Sequence, residues 1–304
     1  MDDPISLEAE VVPAESREKS DVLKTGRVGA RLSRRWTIAL IVLAVSLVIG
    51  ALSVYLPPGI DWHDTFRPAA RELLFARNPY KIAGFYYATW SLLPLMPIAL
   101  LPENVGRTVF LVVSMVAFGF TAYRLGAKPV TLAAFLLSPP VLHCLLNANI
   151  DWMPLVGFVL PPQIGLFLVV IKPQVGFTVG LFWLVEAWRK GGLREVVRVF
   201  APVTAGLLVS FLVFGFWPLR FERTLTFWWN ASLWPASIPV GLALLIAAIR
   251  KRRIEYAMGA APCLSPYVLF HSWVGALVSI VSLEAETLVA VVGLWILVVI
   301  RAMG

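Results

Sequence analysis

WTIALIVLAVSLVIGALSVYL, residues 36–56, is an unbroken apolar run. GIDWHDTFRPAARELLFARNPY, residues 59–80, follows it with Asp61, His63, Asp64, Arg67, Arg71, Glu72 and Arg77 close together. The first stretch has the length a helix needs to cross a hydrocarbon core of about 30 Å. The second is a charged island in a chain that is 59% hydrophobic and only 14% charged, where a soluble domain carries roughly 25%. Similar apolar runs recur, continuous rather than alternating, which argues against a β-barrel. The chain therefore reads as all-α, a polytopic membrane bundle of about nine to eleven spans.

The net charge of +8 is first a topology signal. Basic residues gather in short loops, at 31–35, 124–128, 189–198 and 250–253, and each is expected to be cytoplasmic. The signal-peptide alternative fails for 36–56, which is too long for an h-region and lacks a cleavage site. Residues 1–35 read as a disordered cytoplasmic tail and 36–304 as one transmembrane domain of a multi-pass plasma-membrane protein. Residues 57–85 are then an outer loop. No basic, aromatic-interleaved patch suggests nucleic acid as a partner.

Proline decides the next segment. Residues 86–101 contain Pro94 and Pro97 and end at Pro102. Proline removes a backbone donor and kinks a helix, so 86–101 reads as a short, partly re-entrant segment; the alternative is a full crossing that breaks the charge rule locally. Spans follow near 105–123 and 129–146, then a short pair, 152–160 and 163–171, split by Pro161 and Pro162. Residues 174–188, 196–216, 238–249 and 255–270 cross in turn, with 217–239 an outer loop. Residues 273–300 form one broken span or two short ones, because Glu284 and Glu286 interrupt them.

This topology places Asp61, Asn149, Asp151, Lys172 and His271 on the same outer side. Asp61, partly desolvated near the bilayer, suits a general base; Asp64 reads as the cap of the following helix, with Pro68 in its first turn. Phe66, Ala69, Ala70, Leu73 and Leu74 recur at helical spacing. The resulting amphipathic helix suits a membrane surface and contact with lipids, and Arg67, Arg71 or Arg77 could bind a phosphate. Lys172 at membrane depth needs a partner or a cavity and suits the same anion, with Gln174 beside it. Asn147, Asn149 and Asp151 read either as helix caps or as a polar mouth, and His271 as a proton donor or a structural imidazole. Cys144 and Cys263 lie in apolar runs without metal-ligand spacing. No metal, nucleotide-binding loop, dinucleotide fingerprint or nucleophile elbow is expected.

The order of these features resembles the integral-membrane GT-C glycosyltransferases, in particular the polyprenyl-phosphate-mannose-dependent mannosyltransferase-like family 87. The likeness runs over residues 36–190. It rests on Ile60-Asp61-Trp62, on Asn78-Pro79-Tyr80, on the prolines at 94, 97 and 102, on the Asn147–Asp151 mouth, and on Lys172-Pro173-Gln174. It extends more weakly to Ser265-Pro266-Tyr267 and His271. The family's Gly-Gln pair at the mouth is replaced by Asn147-Ala148-Asn149, and the 149–172 stretch and C-terminal half are compressed.

The resemblance implies a GT-C-like fold with an outer first loop, Asp61 as the catalytic aspartate, and no cofactor. It also implies transfer of a mannose-like hexose from a polyprenyl-phosphate donor to a lipid or glycan acceptor on the outer face. Lys172 and an arginine of the 67–77 segment would stabilise the leaving phosphate. This reading requires Asp61, Lys172 and His271 to line one outward cavity. Otherwise a non-enzymatic relative, a transporter or a structural subunit, is the better reading.

Overall fold

The computed structural model describes residues 34–219 and 230–303, so the expected tail lies outside them apart from Arg34 and Arg35. The chain divides into two units, Met1–Val48 and Ile49–Gly304. Helix α1, Arg34–Tyr55, begins in the first unit and ends in the second; every other described element belongs to the second. All regular structure in that unit is helical, with no strand among the described residues.

The charged island is one helical run. It starts at residue 60, widens into a π-turn over Trp62–Phe66, and continues as α2, Arg67–Leu74. Phe66, Ala69 and Ala70 are buried as their spacing predicts, together with Trp62. Asp64 is not a cap: it lies inside the π-turn, exposed, and the residue before α2 is Phe66, which offers no capping group. Residues 86–101 form no continuous helix. They make two short turns, Thr89–Leu92 and α3, Met96–Ala99, and contribute Leu92, Leu95 and Ala99 to the core around Trp62 and Phe110.

Helices α4, Glu103–Arg124, α5, Pro129–Leu136, and α6, Pro139–Asn147, follow. Helices α7, Trp152–Phe158, and α8, Pro162–Val169, are the expected short pair. Proline opens α5, α6, α8 and the next helix, α9, because its fixed φ suits the first turn and its missing N–H would have had no partner there. Gly157 and Gly165 let α7 and α8 touch backbone to backbone; a Cβ on Gly165 would stand 2.5 Å from the Gly157 carbonyl oxygen.

Helix α9, Pro173–Phe214, is broken at Gly191 and Gly192, whose backbones leave the helical region. Laid straight, its 42 residues would extend about 63 Å. Yet Phe177 and Leu207 line one cavity, so the chain folds back at the glycines into two arms, near the limits expected for 174–188 and 196–216. Helices α10, Ile238–Lys251, and α11, Ile254–Cys263, follow, then a turn at Phe270–Trp273 and α12, Val274–Val278. Part of the expected 217–239 loop, residues 220–229, lies outside the described residues.

Glu284 and Glu286 do not interrupt a span. They open α13, Glu284–Met303, where carboxylates favour the positive end of the helix dipole, and Lys128 Nζ reaches Glu284 at 2.9 Å. Two basic segments expected on one side also meet: Arg252 pairs with Glu186 at 2.6 Å, and Arg189 donates to the Ile249 carbonyl at 2.7 Å. Among the described residues, three helices are long and apolar enough to cross a membrane: α4, α9 and α13. A fourth is added if α5 and α6, bent by 50°, act as one. Most of the other expected crossings are short helices, of which α5, α6, α8 and α10 carry proline in the first turn.

Candidate functional site

Three chain reversals bring the site together. Helix α6 ends at Ala148, whose φ of 58° is left-handed. The Asn149 N–H returns to the Cys144 carbonyl at 3.0 Å, a Schellman closure that turns Asn149 inward. Asp151 sits at the start of α7. Lys172 precedes Pro173, which holds it extended, with φ −129° and ψ 86°. The turn at Phe270–Trp273 delivers His271 and Ser272.

These residues form one polar chain. Asn149 Nδ2 donates to Asp61 Oδ2 at 2.6 Å, and Lys172 Nζ donates to Asn149 Oδ1 at 2.6 Å. Lys172 also reaches Asp151 Oδ1 at 2.9 Å. Asp151 accepts from Ser272 Oγ at 3.1 Å and lies 3.3 Å from His271 Nε2. His271 Nδ1 is 3.2 Å from Nδ1 of His143, which is exposed. The Tyr87 ring lies 6.0 Å from Lys172 Nζ.

Burial separates the groups chemically. Lys172 and Asp151 are 0% exposed, Asn149 1% and His271 2%, whereas Asp61 keeps some surface. Burial alone would raise the Asp151 carboxyl, but Lys172, His271 and Ser272 together hold it below the ordinary carboxylate value. Burial drives the His271 imidazole down to about 3, leaving it neutral. Asp61 is raised: its burial outweighs the Asn149 hydrogen bond and the attraction of Lys172, and the Asp151 and Asp64 charges push the same way. A half-buried, proton-avid carboxylate beside a neutralised ion pair is suited to take a proton from a hydroxyl.

Of the residues expected at a site, Asp61, Asn149, Lys172 and His271 come together. None of them lines either of two nearby cavities, so the single cavity that the enzymatic reading required of Asp61, Lys172 and His271 is not found at either one. Tyr87, Gln174, Phe177, Trp217 and Tyr267 are among the walls of the cavity of about 470 Å³ that adjoins the chain. A second cavity of about 320 Å³ shares Val170, Pro173, Phe177 and Leu207 with the first, making a continuous apolar trough along α9. The three arginines lie elsewhere. Arg67 Nη1 is on Glu103 at 3.3 Å, Arg77 Nη1 is on Glu72 at 3.4 Å, and Arg71 is exposed. Ser272 and Tyr87 are members that sequence reasoning did not place in the site, and Asp151, which reads there as a helix cap or part of a polar mouth, is not expected as the partner of Lys172. Asp151 alone had left a signal, an acid two residues after Asn149 in a mostly apolar stretch.

Glu103 ties α4 to the Asp61 helix through His63 Nδ1 and Arg67. The hydrogen bond and charge of Glu103 raise the His63 imidazole above its ordinary 6.5, with Asp64 adding and Arg67 opposing. Since the folded value is the higher one, this tie is fully present below pH 6.5 and is lost as pH rises through the raised value. Glu103→Gln is expected to return the His63 titration toward 6.5 in a histidine-labelled NMR experiment while leaving His143 and His271 unmoved. An unshifted His63 would show that Glu103 does not hold it.

No protein-family model, curated protein or solved structure matches the chain.

Proposed function

We propose that the chain is a GT-C-type glycosyltransferase of the plasma membrane, multi-pass with a cytoplasmic N-terminus. It moves a mannose-like hexose from a polyprenyl-phosphate donor to a lipid or glycan acceptor on the outer face. The observation that carries this reading is the Asp61 carboxyl, raised by burial and oriented by Asn149, beside an apolar trough bordered by aromatic rings. Asp61 removes the acceptor's hydroxyl proton, the acceptor oxygen bonds to the sugar's anomeric carbon, and the bond from that carbon to the donor phosphate breaks. The phosphate leaves with the electron pair.

Lys172 takes a different part from the one expected of it. It is enclosed by Asn149, Asp151 and Tyr87, so it acts by neutralising Asp151 and fixing Asn149 rather than by touching phosphate. Among the arginines, Arg67 is six residues from Asp61, about 9 Å along a helix, and Arg71 about 15 Å. Arg67, although paired with Glu103, is the nearer of the two and therefore the guanidinium assigned to the leaving phosphate.

A second reading is favoured by two observations: Asp61, Lys172 and His271 line neither cavity of the trough, and Lys172 and Arg67 are both already paired. Under it the chain is a non-enzymatic transporter or a structural subunit. The test is to reconstitute the purified protein in vesicles with radiolabelled polyprenyl-phosphate mannose and a membrane lipid extract. Label is expected to pass into a lipid or glycan product. Donor that is bound or moved across the vesicle without any product would overturn the enzymatic reading.

A further inference from the structure

We infer that Arg107, in the second turn of α4, is a positioning residue that sets the Asp61–Asn149 contact by holding both backbone segments that carry it. Arg107 is 1% exposed. Its Nη2 donates to the Leu145 carbonyl at 2.5 Å and the Leu146 carbonyl at 2.8 Å, both in the last turn of α6, shortly before Ala148 and Asn149. On its other side lies Gly59, whose carbonyl accepts the His63 N–H at 2.9 Å and so opens the Asp61 helix.

Gly59 has φ +74°, and a Cβ there would stand 2.5 Å from Arg107 Nε, 3.1 Å from the Leu146 oxygen and 3.2 Å from the Ala148 Cβ. Gly59, Arg107 and the end of α6 are thus one three-way contact. Asp61 follows it by two residues on one strand of chain, and Asn149 by one residue on the other.

The charge of Arg107 has no carboxylate partner among the described residues, and Nε and Nη1 have no hydrogen-bond acceptor. An unpaired guanidinium is a costly way merely to fill space between helices. What it supplies is a planar fork that binds two carbonyls at the negative end of α6 and presents a flat edge to a glycine backbone. An apolar side chain offers neither.

The test reads Asp61 directly, so it does not depend on the proposed activity. The Asp61 carboxyl band is followed against pH by isotope-edited infrared spectroscopy, assigned by its loss in Asp61→Asn. In Arg107→Met the protonation midpoint is expected to move upward, as it does when Asn149→Ala removes the hydrogen bond that stabilises the carboxylate. The two substitutions combined should add nothing further. Arg107→Lys, which keeps the charge but not the fork, should also move it upward. Gly59→Ala, neutral in charge, should do the same by forcing the guanidinium away.

A purely electrostatic role predicts no shift for Arg107→Lys and full additivity with Asn149→Ala; either result overturns the inference. So does an unmoved midpoint in any of these variants that retains a cooperative thermal transition, and Gly59→Ala and Arg107→Lys carry the test if Arg107→Met does not fold. If the chain transfers sugar, turnover in the folded variants should fall about 10²-fold. If it transfers none, the midpoints decide alone.

Discussion

Asp61→Asn is expected to leave the protein folded and to lower sugar transfer by about 10²–10⁴-fold. Asparagine has the size of aspartate, and its carbonyl oxygen can still accept from Asn149 Nδ2, which reaches Asp61 at 2.6 Å. It cannot take a proton from a hydroxyl. The substitution also removes a negative charge that burial, Asp151 and Asp64 all disfavour, so stability should be unchanged or slightly higher. The measurement pairs initial rates of label transfer with thermal midpoints on the same preparation. Retained turnover at an unchanged midpoint would remove Asp61 from the chemistry.

Lys172→Met should act in the opposite way, through the fold. It leaves Asp151 ionised, 0% exposed and without its cation, and breaking a buried pair in this manner costs about 3–5 kcal/mol. Because Asp151 is held below its ordinary value of 3.8, its contribution is present above that pH and is lost as pH falls through the depressed value. Adding Asp151→Leu to Lys172→Met should recover part of the loss by removing the stranded charge. Ser272, left without its acceptor, accounts for part of the rest. Denaturant or thermal unfolding of the single and double variants checks this. A single Lys172→Met as stable as the parent would show that the pair does not support the fold.

The two predictions separate what the sequence made legible from what it did not. Apolar runs ended by proline mark most of the helices, because proline favours a first turn and little else in a helix. Basic loops placed Asp61, Asn149, Lys172 and His271 on one side, and the structure joins the first three through hydrogen bonds and sets His271 against Asp151, the partner of Lys172. What each side chain touches was less legible. Lys172 reads as a phosphate ligand until Asp151 is seen beside it, 21 residues away in sequence but 2.9 Å in space. Arg67 reads as part of an exposed basic face, but its partner Glu103 opens a helix beyond the proline-rich segment. Arg107 was hidden inside an apolar run whose length suggested only a span, although an arginine at such a position marks a special environment. Asp64 looked like a cap because the π-turn that carries the helix past it leaves no pattern of its own in the residues.

That π-turn has a consequence for register. A π-turn accommodates one residue more than an α-helix would over the same path, and one residue is about 100° of rotation. The buried stripe of α2 and the carboxylate of Asp61 are therefore out of phase by design. Deleting a single residue between 62 and 66 would restore a regular helix and swing Asp61 around its axis, away from Asn149, while α2 kept its footing. Substitutions across this segment preserve the phase; a one-residue gap does not. Related chains should accordingly vary in the letters of this turn far more readily than in its length.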